Sequence, residues 1–117
     1  MQAEPTHVPG SAVDPIFSAL ANPTRRQVVE RLGRESASVS ELAEPFDMAL
    51  PSFLQHLRVL EDAGVAVSWK TGRVRSYRLA PRSLRLAGDW LEEQRAYWEA
   101  RLDQLDRYVI RLSEEGR

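Results

Sequence analysis

Cysteine is absent from the 117 residues of this chain. That removes disulfides, thiolate metal sites and cysteine-based redox sensing together. No stretch approaches the roughly 18 consecutive apolar residues that a membrane-spanning helix needs. The N-terminus lacks the basic, then apolar, then small-residue order of a secretory signal, so a cytoplasmic location is expected. With Pro5, Pro9 and Gly10 among polar neighbours, residues 1–12 read as a flexible arm ahead of one domain over residues 13–117. Neither an internal repeat nor a low-complexity block is present. Also missing are a nucleophile–base pair, a phosphate-cradling glycine loop and a metal-ligand pattern. An enzyme is therefore not expected, and no cofactor or metal site is assigned. Net charge is small too: 16 basic side chains against 17 acidic ones leave −1. Taken alone, that balance offers nothing to a polyanion.

The distribution of charge reverses this. Residues 52–85 carry seven basic side chains (Arg58, Lys70, Arg73, Arg75, Arg78, Arg82, Arg85) against two acidic ones, Glu61 and Asp62. Both flanking stretches are net acidic. A local basic region can bind phosphates on a protein that is neutral overall; the alternative is a solvated charged face.

Local signals set the order of elements. Asp14-Pro15 opens a short helix, with Asp14 as its cap and Ile16, Phe17 and Leu20 as its apolar stripe. Asn22-Pro23 opens a second, which buries Val28, Val29 and Leu32 and stops at Gly33. Ser38 with Glu41 forms a capping box for a third, which Pro45 ends early. A fourth helix starts near Leu50-Pro51 and stops at Gly64. At 100° per residue its Leu50, Phe53, Leu54, Leu57 and Leu60 gather on one side, and Pro51, Ser52, Gln55, Arg58, Val59 and Asp62 on the other. Val65 to Trp69 and Val74 to Leu79 alternate as strands around a Thr71-Gly72 turn, and Pro81 ends the hairpin. From Ser83 to Ser113 the chain favours one long helix. Leu84, Leu91, Trp98, Leu105 and Leu112 recur along it every seven residues. The predicted fold is mainly α with a small β-hairpin, in the order α-α-α-α-β-β-α: a winged helix-turn-helix.

Such an order suits duplex DNA. The major groove admits one α-helix that packs on one side and stays polar on the other. Ser52 and Gln55, near the N-terminus of the fourth helix, are candidates for base contacts, and Gln can pair with adenine in a bidentate way. Pro51 lies on the same face. Arg58 is a phosphate ligand by chemistry, which positions without reading sequence. His56 is either a packed histidine bonded to a neighbour or a phosphate contact. Lys70, Arg73 and Arg75 make the hairpin a basic wing. Trp69 is either a hairpin core residue or a stacking surface. Arg25 and Arg26 fit phosphates or local ion pairs with acids such as Glu30.

The stretch Leu20-Ala-Asn-Pro-Thr-Arg-Arg-Gln-Val-Val-Glu-Arg-Leu32 resembles the second-helix signature of the ArsR (ArsR/SmtB) family of bacterial repressors. Val39-Ser-Glu-Leu-Ala43 is similar to its third helix, and Leu50 through Val65 to its recognition helix and exit. Gly72-Arg73 and Tyr77-Arg78-Leu79 resemble its wing, so the likeness spans about residues 13–112. It implies a homodimer joined through the first and last helices, with Ile16, Phe17, Leu91, Trp98, Leu102, Leu105 and Val109 at the interface. It further implies binding of double-stranded DNA at a palindromic operator, and repression relieved by a signal. Metal sensing does not carry over. The third helix has no thiol, and the two histidines, His7 and His56, lie outside the last helix. Asp89, Glu92, Glu93, Glu99 and Asp103 remain as oxygen donors there, but carboxylates on a charged helix are ordinarily solvated or ion-paired. The aromatic residues Trp90, Tyr97, Trp98 and Tyr108 suit interface packing or a cavity for an unidentified small-molecule effector. A winged-helix module that binds protein instead of DNA is the alternative function.

Overall fold

The computed structural model describes residues 12–116, so nearly all of the expected arm lies outside the described residues. Eight elements follow one another: α1 (Asp14–Leu20), α2 (Pro23–Leu32), β1 (Ala37–Ser38), α3 (Val39–Ala43), α4 (Leu50–Asp62), β2 (Ala66–Thr71), β3 (Val74–Leu79) and α5 (Pro81–Glu115).

Each boundary has a local cause. Asn22 caps α2: its side chain accepts the Arg25 amide at 3.1 Å, and Pro23 follows with the fixed φ a first turn needs. Ser38 and Glu41 close the capping box of α3 in both directions, at 3.2 and 2.8 Å. The Ser38 hydrogen bonds hold the Glu41 carboxyl below its usual range. This small contribution is therefore present above the ordinary carboxylate range and fades as acid protonates the group. Pro45 follows α3 closely, as expected. Gly64 ends α4 at φ +78, with its amide bonded to Glu61 O and the Val65 amide to Leu60 O. Those two bonds are a Schellman closure, sealed by the buried pair Leu60 and Val65.

Three boundaries differ from expectation. Val13, not Asp14, is the cap residue of α1; the helix begins one residue sooner, and Asp14 sits in its first turn, where a negative charge suits the dipole. The hairpin turn is Gly72-Arg73, not Thr71-Gly72, since Thr71 still pairs with Val74. Gly72 supplies the positive φ of the tight reversal, at 62°. Pro81 opens α5, because a fixed φ that ends a strand also suits the first helical position. The sheet holds three antiparallel strands in the order β1-β3-β2, with Ala37 opposite Tyr77.

By its internal packing the chain divides into a unit Met1–Ala87 and a unit Gly88–Arg117. In the first, Ile16, Val28, Leu42, Phe53, Leu57, Leu60 and Val65 are fully buried and form the core. Burial of each such side chain contributes about 1.5–3 kcal/mol. The Phe46 and Phe53 rings meet at 5.3 Å between centroids, joining the segment after α3 to α4. The second unit is helical and carries Leu91, Trp98, Leu102, Leu105, Val109 and Leu112 exposed. Arg95, one heptad before Leu102, makes exposed pairs with Glu92 and Glu99, three and four residues apart, of the kind that adds little stability. Arg95 holds the Glu92 carboxyl below its usual range. Among the described residues no helix is long and apolar enough to cross a membrane.

Candidate nucleic-acid interface

Helices α3 and α4 with the turn between them form the helix-turn-helix, and the β2–β3 hairpin forms the wing. In α4, Phe53, Leu57 and Leu60 make the buried spine. Leu50 and Leu54 do not join it: they are 53% and 41% exposed. The spine is narrower than the apolar stripe, because the core covers only one side of it. On a projection at 100° per residue, Leu50, Leu54 and Glu61 flank the spine on one side, and Ser52, His56 and Val59 on the other. Pro51, Gln55, Arg58 and Asp62 lie opposite it and are exposed. No side chain caps α4, in contrast to α2 and α3.

His56 is tied to the protein. Arg25 Nη1 lies 3.1 Å from its Nδ1. A guanidinium only donates, so Nδ1 is the acceptor and any ring proton sits on Nε2. Arg25 also donates from Nε to Ala19 O at 2.7 Å and from Nη2 to Ser18 O at 3.3 Å. Arg26 donates to Leu20 O at 2.9 Å. Neither arginine is paired with Glu30; both satisfy the orphan carbonyls at the end of α1. Arg25 thus fastens α1 and α2 to the recognition helix, a role that no local pattern announces. Arg25→Ala is expected to lower stability by about 1–3 kcal/mol, read as a shift of the urea midpoint. An unchanged midpoint would show that water replaces these bonds without loss.

On the wing, Lys70, Arg73 and Arg75 are all exposed. Lys70 and Arg75 are register partners on adjacent strands. Like charges placed opposite each other repel, and an anion laid across the hairpin relieves the repulsion. Arg75 also donates to Ser68 Oγ at 2.8 Å, and Ser68 in turn donates to Glu61 at 2.7 Å. This chain braces the wing against α4. Burial and the Glu61 carboxylate push the nearby Tyr77 hydroxyl up from its usual range. Trp69 is 40% exposed, which places its ring at the surface and not in a hairpin core.

Two clefts connect helix and wing. One is lined by Leu54, Arg58, Glu61, Arg75 and Tyr77. The other includes Ser38, Ser40, Leu50, Leu54, Arg73 and Val74. The structure therefore brings Arg58 and Arg75 to one cleft and Arg73 and Arg75 to the other, which share Leu54 and Arg75. Gln55 and Ser52 are exposed on α4 and line neither, and His56 is turned toward Arg25.

Of the expected interface residues, Ile16 is 1% exposed and belongs to the core, so it is withdrawn as an interface residue. Phe17 is partly buried against that core. Leu91, Trp98, Leu102, Leu105 and Val109 are each more than half exposed, at 52–59%. Among the described residues, no group of three His, Asp or Glu side chains could hold a metal ion.

A helix-turn-helix domain model matches residues 20–68. The HTH-type transcriptional regulator Rv2034 of Mycobacterium tuberculosis is 39% identical over 71 residues, 61% of this chain and 66% of that protein. The matched stretch thus falls just short of two thirds of that relative. The homodimeric winged helix-turn-helix DNA-binding domain Mb0332 of Mycobacterium bovis superposes with a TM-score of 0.59 at 25% identity, over 75% of this chain and 82% of that one. A crystal structure of an ArsR family transcriptional regulator, RHA00566, superposes with a TM-score of 0.73 at 49% identity, over 76% of this chain and 98% of the other. Likeness at that level of identity over nearly the whole of a relative joins with the helix-turn-helix and wing described above: this chain belongs to the ArsR family of transcriptional regulators.

Proposed function

We infer that this protein is a homodimeric, sequence-specific DNA-binding repressor that works in the cytoplasm. The observation that carries this is that Arg58 of α4 and Arg73 and Arg75 of the wing line two adjoining clefts, with Gln55 and Lys70 exposed on the same two elements. Gln55 and Ser52 read base edges; Arg58, Arg73 and Lys70 hold phosphates. The first-turn amides of α4, which no side chain caps, add a positive end to that helix. The exposed seam from Leu91 to Val109 joins two copies, and a palindromic operator calls for such a two-fold reader. A dimer seated on promoter DNA represses by occupancy and needs no further surface. The homodimeric state of the Mycobacterium bovis domain supports the pairing. A protein-binding module would not need cations opposed across the wing.

Arg73→Glu tests the wing. Binding to operator and random DNA alike is expected to weaken. The slope of log affinity against log salt is expected to fall by about 1 for each phosphate that the wing no longer neutralises. Anisotropy titrations at several salt concentrations measure both. An unchanged slope would take the wing out of the interface.

A further inference from the structure

Leu50 and Leu54 stand out on the side of α4 that meets the wing. Helix periodicity assigns them to the core, yet they are 53% and 41% exposed, and Val74 across the cleft is 52% exposed. Isolated exposed leucines are ordinary. These three instead line one cleft of about 320 Å³, together with Ser38, Ser40, Arg73 and Arg75. Arg58 and Arg75 border Leu54 from the adjoining cleft. The one carboxylate there, Glu61, accepts a hydrogen bond from Ser68. The surface thus sets exposed apolar side chains among cationic ones.

We propose that Leu50, Leu54 and Val74 contact thymine methyl groups and select thymine at operator positions that Gln55 does not read. The proposal rests on the DNA-binding reading above and adds a specificity rule to it. The occupant follows from chemistry. The arginines call for an anion, and the exposed Leu50, Leu54 and Val74 call for an apolar group beside it. Duplex DNA presents both: phosphates border the major groove, and the thymine methyl is the apolar group on its base edges. Cytosine carries only a hydrogen at C5, where thymine carries the methyl, so a leucine seated there loses its apolar contact. The contact therefore favours thymine and disfavours cytosine at the same position.

The test uses the full-length dimer and an operator enriched by it from random duplexes. Each thymine is replaced in turn by deoxyuridine, which removes only the methyl group. At one or two thymines per half-site the affinity is expected to fall about fourfold, the equivalent of about 0.8 kcal/mol for one buried methyl-sized group. In Leu50→Ala or Leu54→Ala protein, checked for fold by circular dichroism, sensitivity at the matching thymine disappears. The affinity of the variant for the deoxyuridine operator stays within about twofold of the parent's. If no thymine is methyl-sensitive, or if sensitivity persists in both leucine variants, the leucine contact is overturned while DNA binding stands. Failure to enrich any sequence overturns both.

Discussion

Trp98→Asp is expected to convert the protein to a monomer and to weaken its binding to a palindromic site by roughly 10²–10⁴-fold, the gain that linking two binding modules ordinarily provides. Trp98, Leu102, Leu105, Val109 and Leu112 follow one another at intervals of four, three, four and three residues. That is the spacing of a two-helix seam, and all five are exposed in the single chain. Leu91, one heptad before Trp98, extends it. A two-fold interface places the same substitution in both partners, so two carboxylates lose their water at once. Asp is only modestly worse than Trp as a helix residue, so helicity should persist while the dimer does not. Light scattering and circular dichroism separate the two effects, and Trp98→Leu should keep the dimer. A Trp98→Asp dimer of normal stability would place the interface elsewhere.

Phe53→Ala is expected to cost about 3–5 kcal/mol, a large share of the roughly 5–15 kcal/mol that stabilises an ordinary domain. Phe53 is 1% exposed, and its ring meets Phe46 at 5.3 Å. Truncation leaves a cavity beneath the recognition helix that its rigid neighbours cannot fill. Urea titration at fixed protein concentration measures the loss, since a dimer's midpoint depends on concentration. Leu50→Ala, three residues away on the same apolar stripe, should lower stability by less than about 0.5 kcal/mol. Equal shifts for the two would contradict the burial that separates them.

That pair of leucine and phenylalanine shows where sequence reasoning stops. Periodicity sorts residues by angle around a helix axis, but only the packed neighbours decide how wide an arc they cover. Phe53, Leu57 and Leu60 are covered, whereas Leu50 and Leu54 are left on the wing side. Local chemistry was legible where a hydrogen bond closes within a few residues, as at Asn22, at Ser38 with Glu41, and at Gly64. Pro81 was ambiguous because one fixed φ serves both a strand end and a helix start. β1, with two residues, is too short to carry an alternating pattern. Arg25 reaches Ala19 O and His56, six and 31 residues away, which no local motif encodes. Ile16 has the same apolar character in a core as in an interface, so its burial could only come from the fold. The polar face of α4 and the basic wing, by contrast, were visible from residue type and spacing.

The central claim is sequence-specific DNA binding by a dimer. It is tested most directly by a gel shift of the folded protein on the DNA upstream of its own gene, at two salt concentrations, with random-sequence competitor. The account predicts a shift that survives the competitor and weakens as salt rises. A folded dimer that binds neither this DNA nor any sequence from a random library would contradict it.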